Sequence, residues 1–181
     1  MISKAKIGAL KRAIIGILHN AFQNYKTPPS AARREAIGQS HGKQDIALFQ
    51  LGKGSRKILF VAGIHGNEVG TIKLAHEVLH WLPSQHFENL SLSIVPCLNP
   101  DGFKLAKNNP DYFSGGRIGR FNKRGVDLNR NFDTPDFQKK SMWAHGKNYS
   151  QKTEVYCGES GNSEPEIAAL TNFIKKENIE V

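Results

Sequence analysis

Two cysteines in 181 residues are too few for a disulfide framework, and Cys97 and Cys157 have no metal-site spacing. Both are expected to be free thiols in a reducing compartment, which favours a cytoplasmic location over a periplasmic one. Long apolar runs are missing as well. None approaches the ~20 residues a membrane span needs, so no transmembrane segment is expected. Acidic residues are scarce in the N-terminal third, where residues 1–56 hold ten Lys/Arg against Glu35 and Asp45. Residues 57–181 hold fifteen against fourteen, so the formal charge of +9 is mainly an N-terminal property. No nucleic-acid module accompanies that excess, and nucleic acid is not expected as a partner.

The length suits one domain, and 39% hydrophobic content is enough for a core. Residues 4–25 place Ile7, Leu10, Ile14, Ile17, Leu18, Ala21 and Phe22 at helical spacing, with Lys4, Lys11 and Arg12 off the stripe. This reads as a basic surface helix docking on the body, with contact to a membrane surface as the alternative. Lys11 and Arg12 interrupt the apolar stretch, which counts against a signal peptide. Thr27–Pro28–Pro29–Ser30 breaks the helix. The expected division is therefore a helix and linker over 1–36 and a catalytic-type unit over 37–181.

The most informative stretch runs from Lys57 to Leu82. Ile58–Ala62 is an unbroken apolar run, expected as a strand buried on both faces. Gly63 ends it, and His65 and Glu68 follow three residues apart, where a strand gives way to a helix over 69–82 stopped by Pro83. That is where α/β sheets place ligands. An imidazole nitrogen and a carboxylate oxygen suit Zn²⁺, although a catalytic zinc takes three protein ligands and an open position.

Elsewhere the pattern predicts a strand near Ile46–Leu51, preceded by turn residues at His41 and Gly42, and a hairpin into the Lys57 strand through Gly52–Lys53–Gly54. Leu92 and Ile94 alternate with serines in a strand ending near Cys97. Asn99–Pro100–Asp101–Gly102 reads as a turn. Residues 108–125 read as loop. A last helix over 163–177 has Ser163 as its expected N-cap, Pro165 in its first turn and Glu166 three after the cap. Asn178–Val181 look like the start of another strand.

A rival metal motif lies inside the 69–82 helix. His76, Glu77 and His80 spell HExxH, and with Pro83, His86 and the distant Met142 they approach the extended motif of the metzincin proteases. On a helical wheel, Lys73, His76, Glu77 and His80 share one arc. Ile72, Leu74, Ala75, Val78, Leu79, Trp81 and Leu82 share the other. A solvated face accounts for the polar arc without metal, and Pro83 stands where that motif needs glycine.

IGQSHGK, HGNE, NPDG, Arg-x-Asn-x-x-GVDLNRNF and SEPE occur in this order over residues 37–166. Together they resemble the zinc metallocarboxypeptidases, including the murein-peptide amidase branch. HGNE is also the wording of the related aspartoacylase and succinylglutamate desuccinylase branch, which cleaves N-acyl amino acids; NPDG and SEPE favour the peptidase side. The resemblance implies an α/β fold, a mixed twisted sheet flanked by helices, and one zinc ion. It implies His65 and Glu68 as zinc ligands, Arg120 as the catalytic group on the scissile carbonyl, and Asn129 and Arg130 as holders of the substrate's terminal carboxylate. The chemistry agrees, since a guanidinium fork matches a carboxylate and a second Arg beside zinc stabilises a developing oxyanion. The implied substrate is a peptide or N-acyl amino acid with a free carboxylate.

Asp127, Asn131, NPDG and SEPE read as scaffold. In the resembling family the third ligand is a His on a strand after the SEPE helix, with the general base further on, so both are expected beyond Val181. His145, read as lying in a loop, is the one in-chain substitute. The chain thus resembles the N-terminal part of a larger catalytic domain. Alone it is expected to expose a sheet edge, to oligomerise through it and to lack peptidase activity. A non-catalytic carboxylate-binding module is the reading from another class.

Overall fold

The computed structural model describes residues 32–81, 89–109 and 116–179. The helix expected at 4–25, the linker at 27–30, and Pro83 and His86 lie outside the described residues. β1 (Arg33–Gln39) pairs antiparallel with β2 (Asp45–Leu51), so the described sheet runs across the division expected at 36/37. Their turn closes where His41 and Gly42 predicted one, Ser40 N–H donating to the Gln44 carbonyl at 2.8 Å.

β3 (Arg56–Val61), α1 (Val69–Trp81) and β4 (Leu90–Val95) follow, and the sheet order is β1-β2-β4-β3. The expected β2–β3 hairpin does not form, because β4 lies between the two strands. Gly54 N–H donates to the Leu90 carbonyl at 3.2 Å and Arg56 N–H to the Asn89 carbonyl at 2.9 Å, so the Gly52–Lys53–Gly54 turn carries the chain past the start of β4. β3 pairs with β4 in parallel, and parallel strands need a crossover, which α1 supplies.

β3 is also an edge of the described sheet rather than a strand buried throughout, with Ile58 39% exposed. Its apolar run has the expected cause all the same, since helices cover both faces. Leu59 and Val61 pack into a core with Ile46, Leu48, Val95 and Ile167, while Phe60 and Ala62 pack with Phe49, Ala75, Leu79 and Ile94. The first face is closed by α3 (Pro165–Glu177), the second by α1. Gly38 lets α3 come close, since a Cβ there would lie 2.7 Å from Ala169 Cβ. Leu74 and Trp81 on α1 are exposed, so its buried stripe, Val69, Ile72, Ala75 and Leu79, is narrower than the wheel suggested.

The helix boundaries bring three further corrections. Asn99–Gly102 is not a free turn but the start of α2 (Pro100–Lys107): Asn99 Oδ1 caps Gly102 N–H at 2.8 Å, and Pro100 takes the first position, where no N–H partner is missed. Ser163 does not cap α3; Glu164 occupies the N-cap position, and Ser163 Oγ donates to Glu164 at 3.0 Å. Of the strand expected at Asn178–Val181, Glu180 and Val181 lie outside the described residues, and Asn178 and Ile179 are not in strand. Asn178 adopts the left-handed cap conformation, and Ile179 N–H returns to the Ile174 carbonyl at 3.1 Å.

β5 (Lys140–His145) and β6 (Gln151–Tyr156) form a separate antiparallel ribbon. It joins the body through Asp127 N–H to the Tyr156 carbonyl, 2.8 Å. The α/β reading, a mixed sheet between helices, therefore stands. No described helix is long and apolar enough to cross a membrane.

Candidate active site

Where β3 ends, the backbone is pinned to the end of β4: Leu98 N–H donates to the Ala62 carbonyl and Asn99 N–H to the Gly63 carbonyl, at 3.0 and 2.9 Å. Gly63 turns at φ +59, and a Cβ on Gly66 would run into the backbone nitrogen of Phe103. The His65–Glu68 segment is thus squeezed between β4 and α2, with His65 only 3% exposed. Glu68 N–H closes on the His65 carbonyl at 3.1 Å, and this turn returns the Glu68 carboxylate to the ring, with Nδ1 to Oε1 at 2.7 Å.

The other ring nitrogen meets Asp127. His65 Nε2 lies 3.0 Å from Asp127 Oδ1, and Asp127 Oδ2 accepts from Arg120 Nε and a terminal guanidinium nitrogen at 3.1 and 2.8 Å. Asp127 is fully buried, so its two cationic partners are what make its charge tolerable. Burial alone would raise its carboxyl, but His65 and Arg120 outweigh that and hold it below its ordinary value. Burial likewise pulls His65 down, yet its bonds to Asp127 and Glu68 prevail and hold the imidazole above its ordinary value. The His65 contact in turn holds Glu68 low. Arg120 rests with its guanidinium carbon 4.4 Å from the Trp143 ring centroid, a cation–π contact reaching the site from β5.

This donor set suits a divalent zinc. An ionised carboxylate only accepts, so Nε2 donates to Asp127 and Nδ1 turns to Glu68. A metal held there would displace the proton between Nδ1 and Glu68, and a carboxylate on the far side of the ring, as Asp127 is, would fix the tautomer. Among the described residues no group of three His, Cys, Asp or Glu is placed to hold a metal ion together, so His65 and Glu68 stand as a candidate pair.

Asn129 and Arg130 lie on the 3-10 turn Leu128–Arg130, opened by Asp127, whose Oδ1 accepts from Asn129 N–H at 3.1 Å. They line a cavity of about 570 Å³ together with Phe132, Ser141 and Cys157. Hence His65, Glu68 and Arg120 come into one cluster, and Asn129 and Arg130 flank it through the Asp127 turn.

Behind both loops sits a polar knot. Asn122 donates to Glu164 at 2.7 Å, Arg124 pairs with Glu164 at 3.2 Å, and Asn131 Oδ1 accepts from Glu164 N–H at 3.0 Å. Glu166, also fully buried, accepts from His41 N–H at 3.0 Å, and burial raises its carboxyl above the ordinary value. SEPE and Asn131 are scaffold, as expected.

Asp127 is more than that, and its assignment to scaffold alone is corrected: it caps the turn and also positions His65 and Arg120. Its one sequence signal was a buried acid between two apolar residues. Trp143 was missed too, for β5 gives no clue to the ring's partner. His145 closes β5 rather than lying in a loop; its Nε2 meets Thr153 Oγ1 at 2.8 Å and its ring stacks on Trp143 at 4.2 Å. His76 and Glu77 stand on α1, where burial and neighbouring His80 hold His76 below its ordinary value.

Comparison with known proteins follows the same lines. The chain is 29% identical to human carboxypeptidase A6 over 83% of its own length and 36% of that protein, and 30% identical to the mouse carboxypeptidase N catalytic chain over 67% and 29%. It spans about a third of the length of such relatives. Among solved structures it resembles the murein-tripeptide amidase MpaA of Escherichia coli O157, with a TM-score of 0.69 at 26% identity, covering 86% of this chain and 60% of that one. Carboxypeptidase A of Helicoverpa armigera shares the fold, with a TM-score of 0.62 at 21% identity over 98% of this chain and 43% of that one. The sequence model of the zinc carboxypeptidase family matches residues 18–181, and with this match the chain belongs to that metallopeptidase family.

Proposed function

We propose that the protein hydrolyses an amide bond next to a free carboxylate in a peptide or N-acyl amino acid, using one zinc ion held by His65 and Glu68. The observation that carries this is the 2.7 Å approach of His65 Nδ1 and Glu68 beside a guanidinium locked by Asp127. Zinc bound there supplies Lewis-acid polarisation of a carbonyl and acidifies water. Arg120 faces that position with a charge already oriented, so charge developing on the carbonyl oxygen meets a donor that need not reorganise. Asp127 keeps the His65 tautomer and the Arg120 plane fixed together. Asn129 and Arg130, one turn away, hold the terminal carboxylate, the guanidinium by its two-pronged match. The amide chemistry agrees with the amidase and carboxypeptidase names of the relatives.

Metal analysis of purified variants tests the zinc half. His65→Ala or Glu68→Ala should abolish stoichiometric zinc, while joint His76→Ala and His80→Ala should leave it intact; the reverse outcome would favour the HExxH stretch. Arg130→Lys tests the carboxylate half. Charge survives but the planar fork is lost, so free-carboxylate ligands should weaken about tenfold or more relative to their amides. Equal weakening of both would remove Arg130 from that role.

A further inference from the structure

Two separate cavities are lined by the candidate site residues. One, described above, is lined by Asn129 and Arg130. The other, of about 240 Å³, is lined by Glu68, Arg120 and Asn67 from the body and by Trp143, His145 and Tyr149 from the ribbon. No residue lines both. Resting on the reading above, this arrangement gives the substrate a direction. If the terminal carboxylate lies toward Arg130 and the scissile carbonyl at Arg120, the part of the substrate on the acyl side leaves toward the ribbon. We propose that the β5–β6 ribbon reads the residue preceding the scissile bond, and that its cavity takes a flat, aromatic side chain.

Size and lining both point there. At about 240 Å³ the cavity lies below the ~300–1,000 Å³ of whole-ligand pockets and suits a single side chain. Its ribbon wall is aromatic: Trp143 and His145 stack at 26°, and Ala144 and Gly146 leave the wall free of bulk. Aromatic rings prefer offset and edge contacts. Tyr149 is the telling residue. It is 75% exposed, contributes nothing to either core, and is held at φ +54 directly after Asn148 at φ +55. Left-handed backbone is uncommon for a bulky residue, and here it sets an exposed phenol at the cavity mouth.

The chain has two tryptophans, so Trp81→Phe leaves Trp143 as the sole indole reporter. In that background the zinc-loaded protein is titrated with acetyl-Phe-Leu and acetyl-Ala-Leu, which share a C-terminal residue. The phenylalanine compound should quench Trp143 emission and bind about tenfold more tightly. Tyr149→Ala should remove that preference and Tyr149→Phe should retain it. Equal affinity for the two compounds, or a preference that survives Tyr149→Ala, overturns the proposal. A preference intact in protein whose zinc does not depend on His65 and Glu68 would instead overturn the zinc reading and leave this one standing.

Discussion

Asp127 and Glu166 are both fully buried carboxylates, and burial raises both, yet one ends below its ordinary value and the other above it. Asp127 faces an imidazole and a guanidinium, and its charge is secured. Glu166 faces a backbone N–H at 3.0 Å and the Asn122 amide at 3.4 Å, and desolvation prevails. Depth is the same in both; what differs is whether the partners carry charge. The site uses the first arrangement to keep a proton on one face of His65 and free the other. The scaffold uses the second to tie a turn to a helix.

The comparison breaks most visibly at Asp127. Asp127→Ala strands Arg120 and His65 without their counter-charge, and loss of one partner from a buried pair costs about 3–5 kcal/mol. Urea denaturation should show it, and a loss below ~1 kcal/mol would mean that solvent or another acid replaces the contact. Asp127→Asn keeps the shape, so its clearer effect should be on zinc affinity, weakened about 10–100-fold as for other carboxylates behind a ligating His.

Glu166 sharpens the contrast with a smaller effect. Because its folded value stands above the ordinary 4.5, the folded protein binds that proton more tightly than the unfolded chain does. Its contribution to stability is complete below 4.5 and is lost as pH rises through the folded value. Glu166→Gln, which carries no charge, should therefore stay within about 1 kcal/mol of wild type at pH 7 and flatten the decline from acid to neutral pH. Denaturation midpoints at several pH values decide it, and a loss as large as that of Asp127→Ala would erase the distinction between the two acids.

Legibility in the sequence followed the range of the contacts. His65 and Glu68 were readable because strand end, turn and helix start are local events, and one turn brings their side chains together. Arg120, Asn129 and Arg130 came through resemblance. Asp127 escaped because a local explanation was sufficient and true: it does cap Asn129 N–H, while its bond to a ring 62 residues away leaves no periodic trace. The β2–β3 hairpin failed for the same reason. Gly52–Lys53–Gly54 is a sound turn, but nothing within it announces that β4 will enter between the strands. Trp143 is the extreme case, its meaning lying wholly in the guanidinium beneath it.

One anchor described above carries a consequence in time. Asn122 and Arg124, close to Arg120, and Asn131, next to Arg130, all fasten to Glu164. Each contact closes a loop of more than thirty residues, and that closure costs chain entropy that only the docked contacts return. The segment 119–131 therefore cannot settle until the start of α3 has been synthesised and docked, which makes the site one of the last parts of this unit to mature. Pulse-labelled hydrogen exchange during refolding should show the Arg120 and Asn131 amides gaining protection together with Ala168, whose N–H is bonded to the Glu164 carbonyl; earlier protection at Arg120 would separate them. On the zinc reading proposed above, a metal ion reaching His65 and Glu68 before that moment would meet a half-built partner, and loading would follow assembly.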